Sequence, residues 1–146
     1  MYAVGFGERT ENAIILTLAS NTFSFVNASA FSFVVPYDAT VETIYMTATN
    51  TGFTPGTNVN PYIILATALR NSNTFTLRQE TKTPTEIQYS QGTQYPDNTI
   101  LYGSHANINM TIPAGTRVAI VCGFNTQGGI LAQGYWFYYT GGIIFR

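Results

Sequence analysis

The chain is predicted to be an all-β protein, a jelly-roll β-sandwich of about eight to ten strands. Three observations predict it. No segment carries apolar residues at helical spacing over three turns. Threonine, asparagine, glycine and β-branched residues dominate, and these favour strands and turns over helices. Short alternating runs are separated by turn-forming residues, with no internal repeat and no linker, so residues 1–146 read as a single domain.

In chain order, Ala13 to Leu18 and Thr22 to Val26 are short strands joined at Ser20 and Asn21, a turn-prone pair. Ala30 to Val35 follows and ends at Pro36, which cannot donate a ladder hydrogen bond. Thr40 to Thr49 alternates well. Val41, Thr43, Tyr45, Thr47 and Thr49 share one face, and Glu42, Ile44, Met46 and Ala48 the other, with Ile44 and Met46 toward the core. Asn50 to Asn60 reads as a loop and Pro61 to Leu69 as a strong strand. Arg70 to Asn73 turns the chain into Thr74 to Glu80, where Phe75 and Leu77 face one way. Thr81 to Asn98 is the most polar region, read as a long exposed loop holding one short strand, Thr85 to Tyr89. Asn107 to Ile112 and Thr116 to Phe124 pair around Pro113, Ala114 and Gly115, and Thr126 to Gly129 leads into Ile130 to Tyr139.

The last stretch, Gly134 to Arg146, organises the rest. It reads GYWFYYTGGIIFR and carries no charge before its final residue. So uncharged a strand invites pairing at a sheet edge, which predicts a place inside a sheet. One sandwich core covers one face of it, and a neighbouring subunit is the expected cover for the other. Trp136, Tyr138, Ile143 and Phe145 are the candidate interface residues, and a bulge at Gly141 and Gly142 is the candidate point of register shift.

Composition narrows the function. Charged residues make up 9% of the chain, aromatic residues 14%. A neutral polar surface offers little repulsion between copies and suits a coat, fibre or shell component. The net charge of −1 and scattered basic residues oppose nucleic-acid binding. No apolar run approaches the ~18 residues of a membrane span. Met1 to Gly7 lacks the basic start of a secretory leader. The single cysteine, Cys122, sits in VAIVCGF and reads as a buried structural thiol. His105 is also the only one of its kind, in GSHAN between strands, and neighbouring Ser104 would point to the opposite face. A catalytic triad or zinc site therefore lacks its partners, and no catalytic residue, metal ligand or cofactor is expected. The seven acids show no glycosidase-like or EF-hand-like spacing. Asn27 to Ser29 and Asn109 to Thr111 match the N-glycosylation sequon.

Several phrases carry a resemblance. AFSFVVPYDATVETIYMTAT (Ala30 to Thr49), IILATALRNSNTFTLRQE (Ile63 to Glu80), MTIPAGTRVAIVCGF (Met110 to Phe124), FYYTGGIIF (Phe137 to Phe145) and the opening VGFGERTENAI are involved. Together they resemble the C-terminal domains of bacterial collagen-like exosporium glycoproteins of the BclA and BclB type. The resemblance implies a jelly roll of the C1q and tumour-necrosis-factor kind, a tight homotrimer on the spore's outer layer, and contacts with other coat or exosporium proteins. It also implies registration of a collagen-like stalk, but these residues hold no Gly-X-Y repeat. The expected function is thus a non-enzymatic structural protein of the exosporium or a spore appendage. A carbohydrate-binding adhesin is the alternative, with Trp136, Tyr135, Tyr138 and Tyr139 as a stacking platform.

Overall fold

In the computed structural model, residues 21–24, 32–128 and 134–146 are described. They form an antiparallel β-sandwich of jelly-roll kind, with no α-helix among them. The strands are β1 (Thr22–Ser24), β2 (Ser32–Val34), β3 (Ala39–Asn50), β4 (Asn58–Ala68), β5 (Thr74–Leu77), β6 (Thr83–Pro84), β7 (Ile100–Ile112), β8 (Arg117–Gln127) and β9 (Phe137–Phe145). One sheet runs β1-β5-β4-β8-β2 with β6 beside β4; the other runs β7-β3-β9. The predicted strand Ala13 to Leu18, the opening VGFGERTENAI and the sequon at Asn27 lie outside the described residues.

The main core fills the space between the sheets. Ile44, Met46 and Ala48 of β3 and Ile143 of β9 meet Ile63 and Leu65 of β4 and Val118 of β8. Alternation on β3 therefore reads correctly from Ile44 onward, but Val41 is also fully buried. The reason is a bulge. Val41 and Thr43 pair with the consecutive residues Phe145 and Ile144, so Glu42 is an extra residue that resets the parity. Facing it, β7 spends three residues between Ala106 and Met110, with Asn107 and Asn109 at φ of 60 and 54°.

A second apolar cluster, with Phe23, Phe75, Ile64 and Val121 among its members, lies on the other face of the larger sheet, because these β4 and β8 residues alternate with the inward ones. The rings of Phe23 and Phe75 stack at 5.6 Å. The Arg117 guanidinium lies over the Phe75 ring and donates to Ser72 O and Asn73 Oδ1.

Strand β4 starts three residues earlier than predicted, and Pro61 lies inside it. Its carbonyl accepts from the Thr85 N–H, on the side away from β8. A residue's N–H and C=O point the same way in a strand, so the donor that proline lacks is not needed by the long β8 ladder.

The predicted exposed loop Thr81 to Asn98 departs most from expectation. Thr81, Thr83, Thr85 and Tyr89 are all buried. From the single 3-10 turn at Gln79–Thr81 onward, every second residue as far as Thr85 is a threonine that turns inward and bonds. Thr81 Oγ1 accepts from the Leu65 N–H and donates to Arg78 O, Thr83 donates to Thr81 O, and Thr85 donates to Asn60 Oδ1. The predicted strand at Thr85 to Tyr89 is reduced to a bridge between Tyr89 and Val59.

Strand β7 begins at Ile100, well before the predicted Asn107, and so includes Gly103, Ser104 and His105. Gly103 is required by a close approach. A Cβ there would stand 2.0 Å from the Pro84 carbonyl oxygen.

Among the described residues, strand β9 pairs with β3. Its register runs unbroken through Gly142 opposite Tyr45 and Gly141 opposite Met46; the bulge is on β3 instead. Gly141 meets a packing demand, since a Cβ would lie 2.7 Å from the Tyr45 oxygen.

Candidate assembly face

The three-stranded sheet turns its second face outward. Cross-strand register places side chains in rows: Ser104, Tyr45 and Gly142; then Tyr102, Thr47 and Thr140; then Ile100, Thr49 and Tyr138. Residues directly opposite each other in an antiparallel pair share a face. No charged residue occupies any of these nine positions. Four of them expose large hydrophobic or aromatic side chains: Tyr45 at 51%, Ile100 at 62%, Tyr102 at 61% and Tyr138 at 56%.

The size pattern gives this face relief. Ser104, Thr140 and Gly142 are small where Tyr45 and Tyr102 are large, and between them lies a depression of about 490 Å³. Thr47 and Thr140 join their hydroxyls across its floor. Among the described residues, Glu86 contributes the one charged side chain of the lining, and its backbone N–H donates to Tyr102 O at 2.8 Å.

The four residues expected at an interface are divided by β9. Tyr138 points outward, and Trp136, just before the strand, is 64% exposed. Ile143 points inward into the main core, and half-buried Phe145 packs against that core with its ring edge-on to Phe33 at 6.2 Å. Alternation along a strand forces this split. Sequence reasoning missed Tyr45, Ile100 and Tyr102 as members of one surface. Tyr45 carried the signal through its placement opposite Ile44, but Ile100 and Tyr102 lay in a segment not read as strand.

At one end of the sandwich aromatic rings form a separate cluster. Phe53 meets Tyr89, Tyr95, Tyr135 and Phe137 at centroid distances of 5.1 to 6.0 Å. The Tyr89 hydroxyl is shared with Asn50 Oδ1 and Thr99 O, and burial, with a smaller effect of Tyr95, pushes its pKa up to about 12. The Tyr135 hydroxyl is buried with no hydrogen-bond partner among the described residues.

His105 lies on β7 opposite Ile44, not in a loop, and its Nδ1 is buried with no hydrogen-bond partner among the described residues. Ser104 pairs with Tyr45 and takes the opposite face, as strand geometry predicts. Cys122 departs from its predicted burial: solvent reaches the residue. Its surroundings still desolvate the thiol and push its pKa up to about 11, which keeps it protonated near neutral pH. Nearby, Tyr139 donates to Gly123 O at 2.8 Å, and burial raises its pKa.

Among the described residues, no group of three His, Cys, Asp or Glu could hold a metal ion, and no helix is long and apolar enough to cross a membrane. Asn109 is exposed within the β7 bulge, with its amide donating to Asn107 O. Compared with known proteins, the chain matches no family model, no curated protein and no solved structure.

Proposed function

We propose that this protein is a non-enzymatic structural subunit of the bacterial spore surface, in the exosporium or an appendage, which assembles as a homotrimer through its jelly-roll domain. The observation that carries the reading is the uncharged outer face of the β7-β3-β9 sheet. Exposed tyrosine and isoleucine side chains in an unbroken neutral field are what an interface core is made of: aromatic residues are enriched there and charges depleted. The low charge of the whole chain, 9%, acts in the same direction by removing repulsion between copies. The location, the C1q-like and tumour-necrosis-factor-like trimer, and the coat proteins as neighbours are what the resemblance of those phrases to exosporium glycoprotein domains implies.

Light scattering of the purified chain tests the assembly: a mass three times that of the 16.0 kDa chain supports it, and a monomer at micromolar concentration rejects it. Immunogold labelling of intact spores tests the location, with label on the outermost layer as the supporting result.

Trp136 favours a second reading. Its exposure of 64% is what a sugar-stacking adhesin needs. Binding on a glycan array that is lost in Trp136→Ala, with assembly intact, would favour the adhesin.

A further inference from the structure

The hollow in the outer face of the β7-β3-β9 sheet has walls and a floor of different chemistry. Tyr45 and Tyr102 stand over it, and the hydroxyls of Ser104, Thr47 and Thr140 line it together with Glu86. Its volume of about 490 Å³ lies within the roughly 300–1,000 Å³ of small-molecule sites. The row of Ile100, Thr49 and Tyr138 is not part of the lining.

The two tyrosines are set a ring's width apart. Tyr45 pairs with Ser104, and Tyr102 comes two residues away on β7, so the pair stands on a diagonal of the ladder. Diagonal neighbours in an antiparallel pair are roughly 7–8 Å apart. A flat ring between two aromatic side chains needs roughly 3.5–4 Å on each side, which adds up to the same width. Neither tyrosine ring meets another ring among the described residues, so both are available to a ligand.

We propose that this hollow binds a neutral sugar, with one pyranose ring between Tyr45 and Tyr102 and its hydroxyls on Glu86 and the floor. A pyranose has apolar C–H faces and a rim of hydroxyl groups, and the hollow offers a match for each. Aromatic walls take the faces. An ionised carboxylate accepts hydrogen bonds and donates none, so Glu86 calls for a ligand that donates, and a sugar hydroxyl does. The Glu86 carboxylate and the Ser104 hydroxyl have no partner among the described residues, which leaves both for that rim. Thr47 and Thr140 bond to each other and keep further acceptor capacity.

The same groups exclude other occupants. A nucleotide or an acidic sugar would bring negative charge to Glu86, and no basic residue lines the hollow among the described residues. A wholly aliphatic ligand would dry the hydroxyls and the carboxylate without pairing them. The inference goes beyond the assembly reading and does not need it. It also differs from the adhesin reading, because Trp136 does not line the hollow.

The test is saturation-transfer NMR, followed by calorimetric titration, of the purified chain with methyl glycosides of glucose, galactose, mannose and N-acetylglucosamine. Methyl glucuronide is the acidic control. At least one neutral glycoside is expected to bind, and the glucuronide at least about tenfold more weakly. Glu86→Gln should weaken binding about tenfold, the order of one lost charge-assisted hydrogen bond. Tyr102→Ala removes a wall, and Gly142→Trp fills the hollow, since a Cβ at Gly142 meets nothing within 4 Å. Both should abolish binding with the thermal melt in place, while Trp136→Ala should bind as the wild type does.

A folded wild-type chain that binds none of the neutral glycosides overturns the proposal. So does binding that survives in folded Tyr102→Ala and Gly142→Trp, or that is lost in Trp136→Ala alone. Glucuronide binding equal to that of the neutral sugars overturns the assignment to Glu86. Light scattering on the same samples keeps the two readings apart: a monomer that binds sugar sinks the trimer and leaves the site, and a trimer that binds none does the reverse.

Discussion

Leu65 donates its backbone N–H to the hydroxyl of Thr81 at 2.9 Å, and both residues are fully buried. The bond replaces a missing ladder partner: β5 pairs with β4 only at Ala66 and Thr67, and β6 only at Tyr62 and Ile63. Thr81→Val keeps the shape and removes the acceptor. Leaving the Leu65 donor unsatisfied costs about 1–3 kcal/mol. In a chain of this size that lowers Tm by roughly 2–4 °C per kcal/mol, measurable by calorimetry. An unchanged Tm would show that water takes over the acceptor role.

Alkaline pH should weaken the fold. Burial holds the Tyr89 phenol neutral and raises its pKa to about 12, above the ordinary value near 10. A raised folded-state pKa contributes stability that is complete below about pH 10 and is lost as pH climbs through about 12. Tyr139, also raised, acts in the same direction. Urea midpoints should therefore fall across that window, and Tyr89→Phe should flatten the fall while lowering stability at pH 7 through loss of the bonds to Asn50 and Thr99. An identical pH slope in the variant would remove Tyr89 from the explanation.

These two cases show how far the residue order carries. Strands β3, β4, β5, β8 and β9 are legible because β-branched and aromatic residues alternate in them. The threonines at 81, 83 and 85 are not, because a hydroxyl is buried only if a partner awaits it, and Leu65, Arg78 and Asn60 become partners only after folding. The first half of β7 was hidden by Gly103, Ser104 and Asn107, which resemble turn residues until the Pro84 backbone packs against the glycine. The uncharged face needed the register of three strands far apart in sequence, one of which, β7, was not read as strand over Ile100 and Tyr102.

The Cys122 thiol separates access from reactivity. Solvent reaches the residue, but its pKa of about 11 leaves little thiolate at pH 8. Because the thiolate is the nucleophile, labelling of the native chain by a small disulfide reagent should lag the denatured chain by roughly one to two orders of magnitude. The gap should close as pH approaches 11. Equal rates at pH 8 would refute the desolvated setting.

Two glycines should respond oppositely to alanine. At Gly103 the new methyl would collide with the Pro84 carbonyl, which is backbone and cannot swing aside. The overpacking cost is about 1–3 kcal/mol or more. At Gly142 the methyl enters open space, so stability should hold. Denaturant melts of Gly103→Ala and Gly142→Ala compare the two directly, and equal midpoints would mean that the segment carrying Pro84 moves freely.

The closing strand gives the last test, because its two candidate residues differ in burial. Ile143 is 3% exposed and sits beside Ile44 in the core facing the opposite sheet, so Ile143→Ala should cost about 2–5 kcal/mol. Phe145 is half-buried and keeps its edge-on contact with Phe33, so Phe145→Ala should fall below the roughly 3–5 kcal/mol expected of a fully buried ring. If a neighbouring copy covers Phe145 the order reverses, and its cost becomes dependent on protein concentration because dissociation then exposes the ring. Melts at two concentrations tenfold apart distinguish a residue of the monomer core from one completed by assembly.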